Sequence, residues 1–163
     1  MKTKKLTTMA LLTALALILF TVEAQIPPPV PIPGVKLGLA NIITVYAMFA
    51  LGPKEALCIL LARVFLGSVF SGQMSTLFYS LSGGLLCYCA MLLLRKILTE
   101  QQIWVCSVIG AVFHNIGQMG MALMIFQSPS VLIYLPLLML SGIVTGLFTG
   151  LCAQFLLRRL RKR

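Results

Sequence analysis

Apolar residues along this chain fall into six long stretches, and polar or helix-breaking residues gather mainly in the gaps between them. The stretches run over 6–26, 35–51, 55–71, 74–94, 103–126 and 131–157. A helix that crosses the hydrocarbon core of a bilayer needs ~17–25 residues. The pattern therefore predicts six spanning helices, with the second and third at the short end. Gly52-Pro53 parts these two, because proline cannot continue a helix from the turn before it. They read as two short spans or as a broken, partly re-entrant pair. The polar turn "GPKE", followed by helix-forming "EALCILLARVFL", favours two spans.

Composition agrees with the pattern. Of 163 residues, 60% are hydrophobic and 10% charged, which is more apolar surface than a soluble domain of this size can hide. The expectation is an all-α integral membrane protein with one membrane domain over 1–163. Thirteen Lys and Arg face three acids, Glu23, Glu55 and Glu100. In a membrane protein such an excess speaks to orientation, not to nucleic acid. Lys2, Lys4 and Lys5 precede the first helix, and Lys54 separates the second from the third. Arg95 and Lys96 follow the fourth, and Arg158, Arg159, Arg161, Lys162 and Arg163 end the chain. In a six-span arrangement all of these lie on one side, and the positive-inside rule makes that side cytoplasmic, with both termini.

The first helix admits a rival reading. "MKTKKLTTMALLTALALILFTVEAQ" has the basic start, apolar stretch and small-residue end of a cleavable secretory signal, and cleavage after Ala24 would leave five spans. The connection that follows, "AQIPPPVPIPGVK", is stiffened by the prolines from Pro27 to Pro33. It reads equally as a rigid spacer and as a fixed arm over an outward-facing cavity. Gly142, Gly146 and Gly150 form a strip for close helix approach, read as packing within the bundle. Ala10 and Ala14, followed by Ala16, form a weaker strip that packs internally or docks a membrane partner. The five cysteines, Cys58, Cys87, Cys89, Cys106 and Cys152, show no metal-ligand spacing and read as packing residues.

Polar side chains inside the apolar stretches carry the candidate chemistry. His114, the only histidine, shares a helix face with Gln118, and Asn115 lies about 100° away from it. Arg63 is expected at similar depth, Asn41 in the outer half of the second helix, and Lys36 and Glu23 at the outer mouth. A charge at mid-bilayer costs ~2.5–3.5 kcal/mol on insertion scales, so Arg63 faces the bundle interior. With no carboxylate expected at its depth, the reading calls for an anion from outside or a watery cavity. Lys36, Asn41, Arg63, His114, Asn115 and Gln118 then line a pocket for a small, anionic, partly apolar solute; the bland alternative is a polar network that fixes helix register. No phosphate-binding G-x-x-x-x-G-K-[ST] loop is present, and no pair of acids stands ready to hold Mg²⁺ against a diphosphate. No cofactor or metal site is expected.

Four blocks, "PGVKLGLANIIT" (33–44), "LGPKEALCILLARVFLGSVFSG" (51–72), "SLSGGLL" (80–86) and "HNIGQ" (114–118), resemble a bacterial family of small membrane proteins. That family goes by two names, Gx transporter family and heptaprenyl diphosphate synthase component I. It is similar in turn to the substrate-binding S components of energy-coupling factor (ECF) transporters. The second likeness implies a multi-pass protein of the bacterial cytoplasmic membrane with six helices and an outward-facing pocket. It further implies docking of the A-x-x-x-A strip, here Ala10 and Ala14, on a membrane coupling subunit driven by two cytoplasmic ATPases. The solute implied is flavin-like, quinone-related or isoprenoid-related. The synthase name meets a chemical objection. Prenyl chain elongation uses Mg²⁺ held by aspartate-rich motifs, and this chain has no aspartate. Three readings follow: the solute-capturing component of an ECF-like importer, a noncatalytic membrane subunit of a heptaprenyl diphosphate synthase or quinone-pathway assembly, and a scaffold for extracytoplasmic electron transfer. None of them is an autonomous enzyme.

Overall fold

The computed structural model describes residues 2–26, 38–72 and 74–161. They form six α-helices and no strand: α1 (Lys2–Glu23), α2 (Asn41–Ala50), α3 (Pro53–Ser71), α4 (Met74–Leu94), α5 (Ile103–Phe126) and α6 (Leu135–Arg161). Short 3-10 turns, Glu100–Gln102 and Pro129–Tyr134, lead into α5 and α6. The latter turn takes the first residues of the expected sixth helix.

Four helical stretches are long and apolar enough to cross a bilayer: Thr3–Glu23, Met74–Leu94, Ile103–Phe126 and Pro129–Leu160. α3 has the length but carries Lys54, Glu55 and Arg63. α2 does not have the length. Its 10 residues rise about 15 Å, half of a ~30 Å hydrocarbon core. The expected second span over 35–51 is therefore corrected. The chain turns at Gly38, with φ +83°, a left-handed value open chiefly to glycine, and helix begins only at Asn41. The apolar letters of "VKLGLA" match a helical run, but at Leu39 and Ala40 the backbone is a turn.

Helix α5 packs most extensively against α6 and α4, and α3 joins α4 to α1. α2 lies against α6, α3 and α1, so α2 to α6 close into a ring with α1 outside it. The glycine strip of α6 serves the α5 contact. A Cβ on Gly146 would stand 2.7 Å from Val108 Cα, and one on Gly150 2.6 Å from Trp104 Cα. This is packing within the bundle, as the sequence indicates. Lys5 of α1 pairs with Glu55 of α3, the Tyr88 hydroxyl donates to the Pro53 carbonyl, and Leu157 and Leu160 line a cleft with Phe49 and Ala50. The basic segments at Lys5, Lys54, Arg95 and Arg158 are thus gathered at one end of the bundle.

Two apolar clusters fill the interior. One is built around Met48, Ile59, Leu60, Met91, Ile103 and Cys106, toward the basic end. The other holds Tyr79, Met119, Ala122 and Leu138, toward the opposite end. The outside is apolar as well, with Phe65, Phe70, Leu93, Met124, Val144 and Phe155 all exposed. A protein apolar on both faces fits a bilayer as its solvent.

Candidate functional site

Between the two apolar clusters lies a polar band. Arg63, midway along α3, is 5% exposed. Its Nη2 donates to Oδ1 of Asn41 at 2.6 Å. Asn41 is thus the first residue of a half-length helix that begins at the depth of Arg63, not a residue in the outer half of a full span.

Glu23 ends α1, and the sequence places it at the outer mouth. The structure corrects this: Glu23 is buried, 4% exposed. Its carboxylate accepts a hydrogen bond from the Gly38 backbone N–H and lies within electrostatic reach of the Arg63 guanidinium. A carboxylate thus stands near Arg63, where the sequence reading expects none at its depth. Glu23 is held there by the turn at Gly38 that leads into α2.

His114 lies against both Gly38 and Gly83 and senses the Arg63 charge. Its approach to α4 depends on glycine. A Cβ on Gly83 would meet the His114 carbonyl oxygen at 2.8 Å and Gln118 Cγ at 2.9 Å. Opposite, a Cβ on Gly117 would meet the Ser82 carbonyl oxygen at 2.7 Å, and the Ser82 hydroxyl donates to the Gly117 carbonyl at 3.0 Å. Asn115 turns toward α6, where its Nδ2 donates to the Leu138 carbonyl at 2.5 Å. Gly142 makes room for it, since a Cβ there would lie 2.6 Å from that nitrogen.

The structure thus brings together Asn41, Arg63, His114 and Gln118, all buried, while Asn115, also buried, turns to α6 instead. Lys36 lies outside the described residues, as do Pro27 to Pro33. Ala10 and Ala14 are exposed on α1, whereas Ala16 is buried against the bundle. Glu23, Gly38 and Gly83 belong to the site and are not singled out for it by sequence. The glycine pair in "SLSGGLL" is a signal for close helix approach; nothing local marks Glu23 as buried.

Several polar atoms in the band have no partner. Arg63 Nε, His114 Nδ1, Asn115 Oδ1, Gln118 Oε1 and, on α2, Thr44 Oγ1 are buried with open hydrogen-bonding capacity. Buried polar groups are nearly always satisfied, so this concentration is unusual. Among the described residues no three His, Cys, Asp or Glu side chains converge as metal ligands. The arrangement is equipped to bind by hydrogen bonds; its described residues include no activated nucleophile and no acid pair.

Neither the curated proteins nor the solved structures yield a match to this chain. A family model does match, over residues 12–156, and its description is heptaprenyl diphosphate synthase component I. The match takes in α2 to α5, most of α6, the second half of α1 and the whole polar band, and the chain belongs to the heptaprenyl diphosphate synthase component I family.

Proposed function

We propose that this chain is a multi-pass, noncatalytic membrane component of a prenyl diphosphate synthase or quinone-pathway assembly. The observation that supports it is the family match over 12–156, set against a chain with no aspartate. Ionising an allylic diphosphate calls for clustered carboxylates to hold Mg²⁺. Here Glu55 is engaged by Lys5 and Glu23 by Gly38, at separate places in the bundle. The catalytic carboxylates then come from a partner chain, and this chain supplies the attachment to the bilayer. We read its basic end as cytoplasmic, with both termini there, α1 and α3 to α6 spanning, and α2 as a half-span. The compartment fitting this reading is the bacterial cytoplasmic membrane.

A second reading, solute capture for an ECF-like importer, is favoured by one specific observation: the open hydrogen-bonding atoms on Arg63, His114, Asn115 and Gln118. In that reading Lys36 and Asn41 complete the site, and the exposed Ala10 and Ala14 face a coupling subunit.

Purification from native membranes in mild detergent, with mass spectrometry of co-purifying chains, separates the two. An aspartate-rich prenyl synthase chain in stoichiometric amount supports the first reading. A membrane coupling subunit with two ATPases refutes it in favour of the second. Redox proteins alone would refute both and support the electron-transfer scaffold.

A further inference from the structure

The basic end of the bundle carries an apolar feature as well as charge. Helix α6 has 27 residues and rises about 40 Å against a ~30 Å hydrocarbon core. The excess leaves its last turns, with the exposed Arg158 and Arg159, at headgroup level or beyond. There α6 meets the end of α2 across a cleft of about 180 Å³, lined by Tyr46, Phe49, Ala50, Leu157 and Leu160. Tyr46, Phe49 and Ala50 are spaced by three and four residues, and Leu157 and Leu160 by three, so each helix gives the cleft one face. Leu157 is buried, whereas Ala50 and Leu160 are exposed and leave the cleft open.

Cations stand around the opening. Arg158 and Arg159 lie between Leu157 and Leu160, and Lys54 follows Ala50 by four residues. None of the three is in an ion pair among the described residues, and Glu55, beside Lys54, is taken by Lys5. An apolar cleft with aromatic walls and arginines at hand has the composition of an interface core. Its size narrows the occupant. Sites for small molecules and cofactors run to ~300–1,000 Å³. This cleft is smaller, and fits an anchor side chain presented by another protein. The family description, a component of a synthase, calls for such a second chain.

We propose that the α2–α6 cleft is where the partner chain docks. An apolar side chain on an acidic segment of that chain seats among Tyr46, Phe49 and Leu160, and carboxylates beside it pair with Arg158, Arg159 and Lys54. This rests on the component reading above and adds the place of contact. The exposed Ala10 and Ala14 of α1 take no part in it.

Photocrosslinking of the full chain in native membranes tests the placement. Benzoylphenylalanine is put at Ala50 or Leu160, with Ala10 on α1 and the exposed Phe70 at the opposite end as references, and adducts are mapped by peptide mass. Ala50 and Leu160 should each join an acidic peptide of the aspartate-rich prenyl synthase chain, and Ala10 and Phe70 should not. Adducts of Ala50 and Leu160 with lipid alone, while the synthase chain still co-purifies with the unmodified protein, overturn the cleft and leave the component reading standing. Adducts with the synthase chain from Ala10 alone put the contact on α1 and overturn the cleft likewise. If no synthase chain accompanies the unmodified protein, both fall.

Recovery of the synthase chain in mild detergent gives a second measurement. Leu160→Gln removes an apolar wall at a position 50% exposed and should lower recovery by about tenfold. Replacing Arg158 and Arg159 together by Gln should weaken recovery and flatten its dependence on salt. Unchanged recovery with either variant overturns the proposal. Should a variant lower the unfolding midpoint, the crosslinks decide alone.

Discussion

Replacing Glu23 by Gln tests the architecture at its most exposed assumption, that a carboxylate from the end of α1 balances the Arg63 charge. Gln keeps a carbonyl oxygen for the Gly38 N–H, so the clasp on the connection survives in kind. The Arg63–Asn41 bond is untouched. What is lost is the negative charge beside a guanidinium that is 5% exposed. Removing one partner of a buried pair costs about 3–5 kcal/mol, and an uncompensated Arg at mid-bilayer costs ~2.5–3.5 kcal/mol on insertion scales. The Asn41 oxygen offsets part of this, so the expected loss is about 3 kcal/mol, roughly a hundredfold in the unfolding equilibrium. Reversible unfolding in mixed micelles measures it, with fluorescence of Trp104, the one tryptophan, as the probe. Arg63→Met should cost a similar amount by stranding the acid. The double variant should recover most of either loss, because it removes both charges together. Strict additivity of the two single effects, within about 0.5 kcal/mol, would show that the charges are not coupled and that the pairing is mistaken.

Three further outcomes are expected from packing and exposure, and a fourth from a surface pair. Gly83→Ala presses a methyl group against the His114 carbonyl oxygen at 2.8 Å and should destabilise by about 1–3 kcal/mol. Gly120→Ala, with open space around its Cβ, should be neutral or stabilise by up to about 1 kcal/mol in the same assay. Exposed Cys58 beside Lys54 and Glu55 should react with a membrane-impermeant maleimide added to the face that carries the basic end and not from the opposite face, with buried Cys87 and Cys106 silent until the protein unfolds. Lys5→Ala, which removes a largely exposed partner of Glu55, should leave the unfolding midpoint unchanged.

The helices were legible where punctuation is local. α4 and α5 run over 74–94 and 103–126 as the hydropathy pattern marks them, because Gly72 stops α3 and Gln127 caps α5 in left-handed conformations. The shared face of His114 and Gln118 was legible too, since it follows from helical period alone. The start of α2 was not: hydropathy counts Leu39 and Ala40 as helix, whereas the chain turns at Gly38, which packs against Asn41 and His114. Nor was the burial of Glu23. Depth inferred from sequence is counted along a residue's own helix, whereas the burial of Glu23 depends on the turn at Gly38 packed against it.

These two misreadings have one physical cause. A helix of 10 residues with one end at the basic face must start inside the bundle, and its start brings backbone N–H groups and the positive end of a dipole with it. The N–H groups of Asn41, Ile42 and Ile43 donate to the carbonyls of Gly38, Leu39 and Ala40, and the Gly38 N–H donates to Glu23. The dipole and Arg63 are both positive and close together, so a single carboxylate at that point offsets both. Glu23 is therefore a requirement of the short helix, in the sense that a full-length α2 would need no acid there.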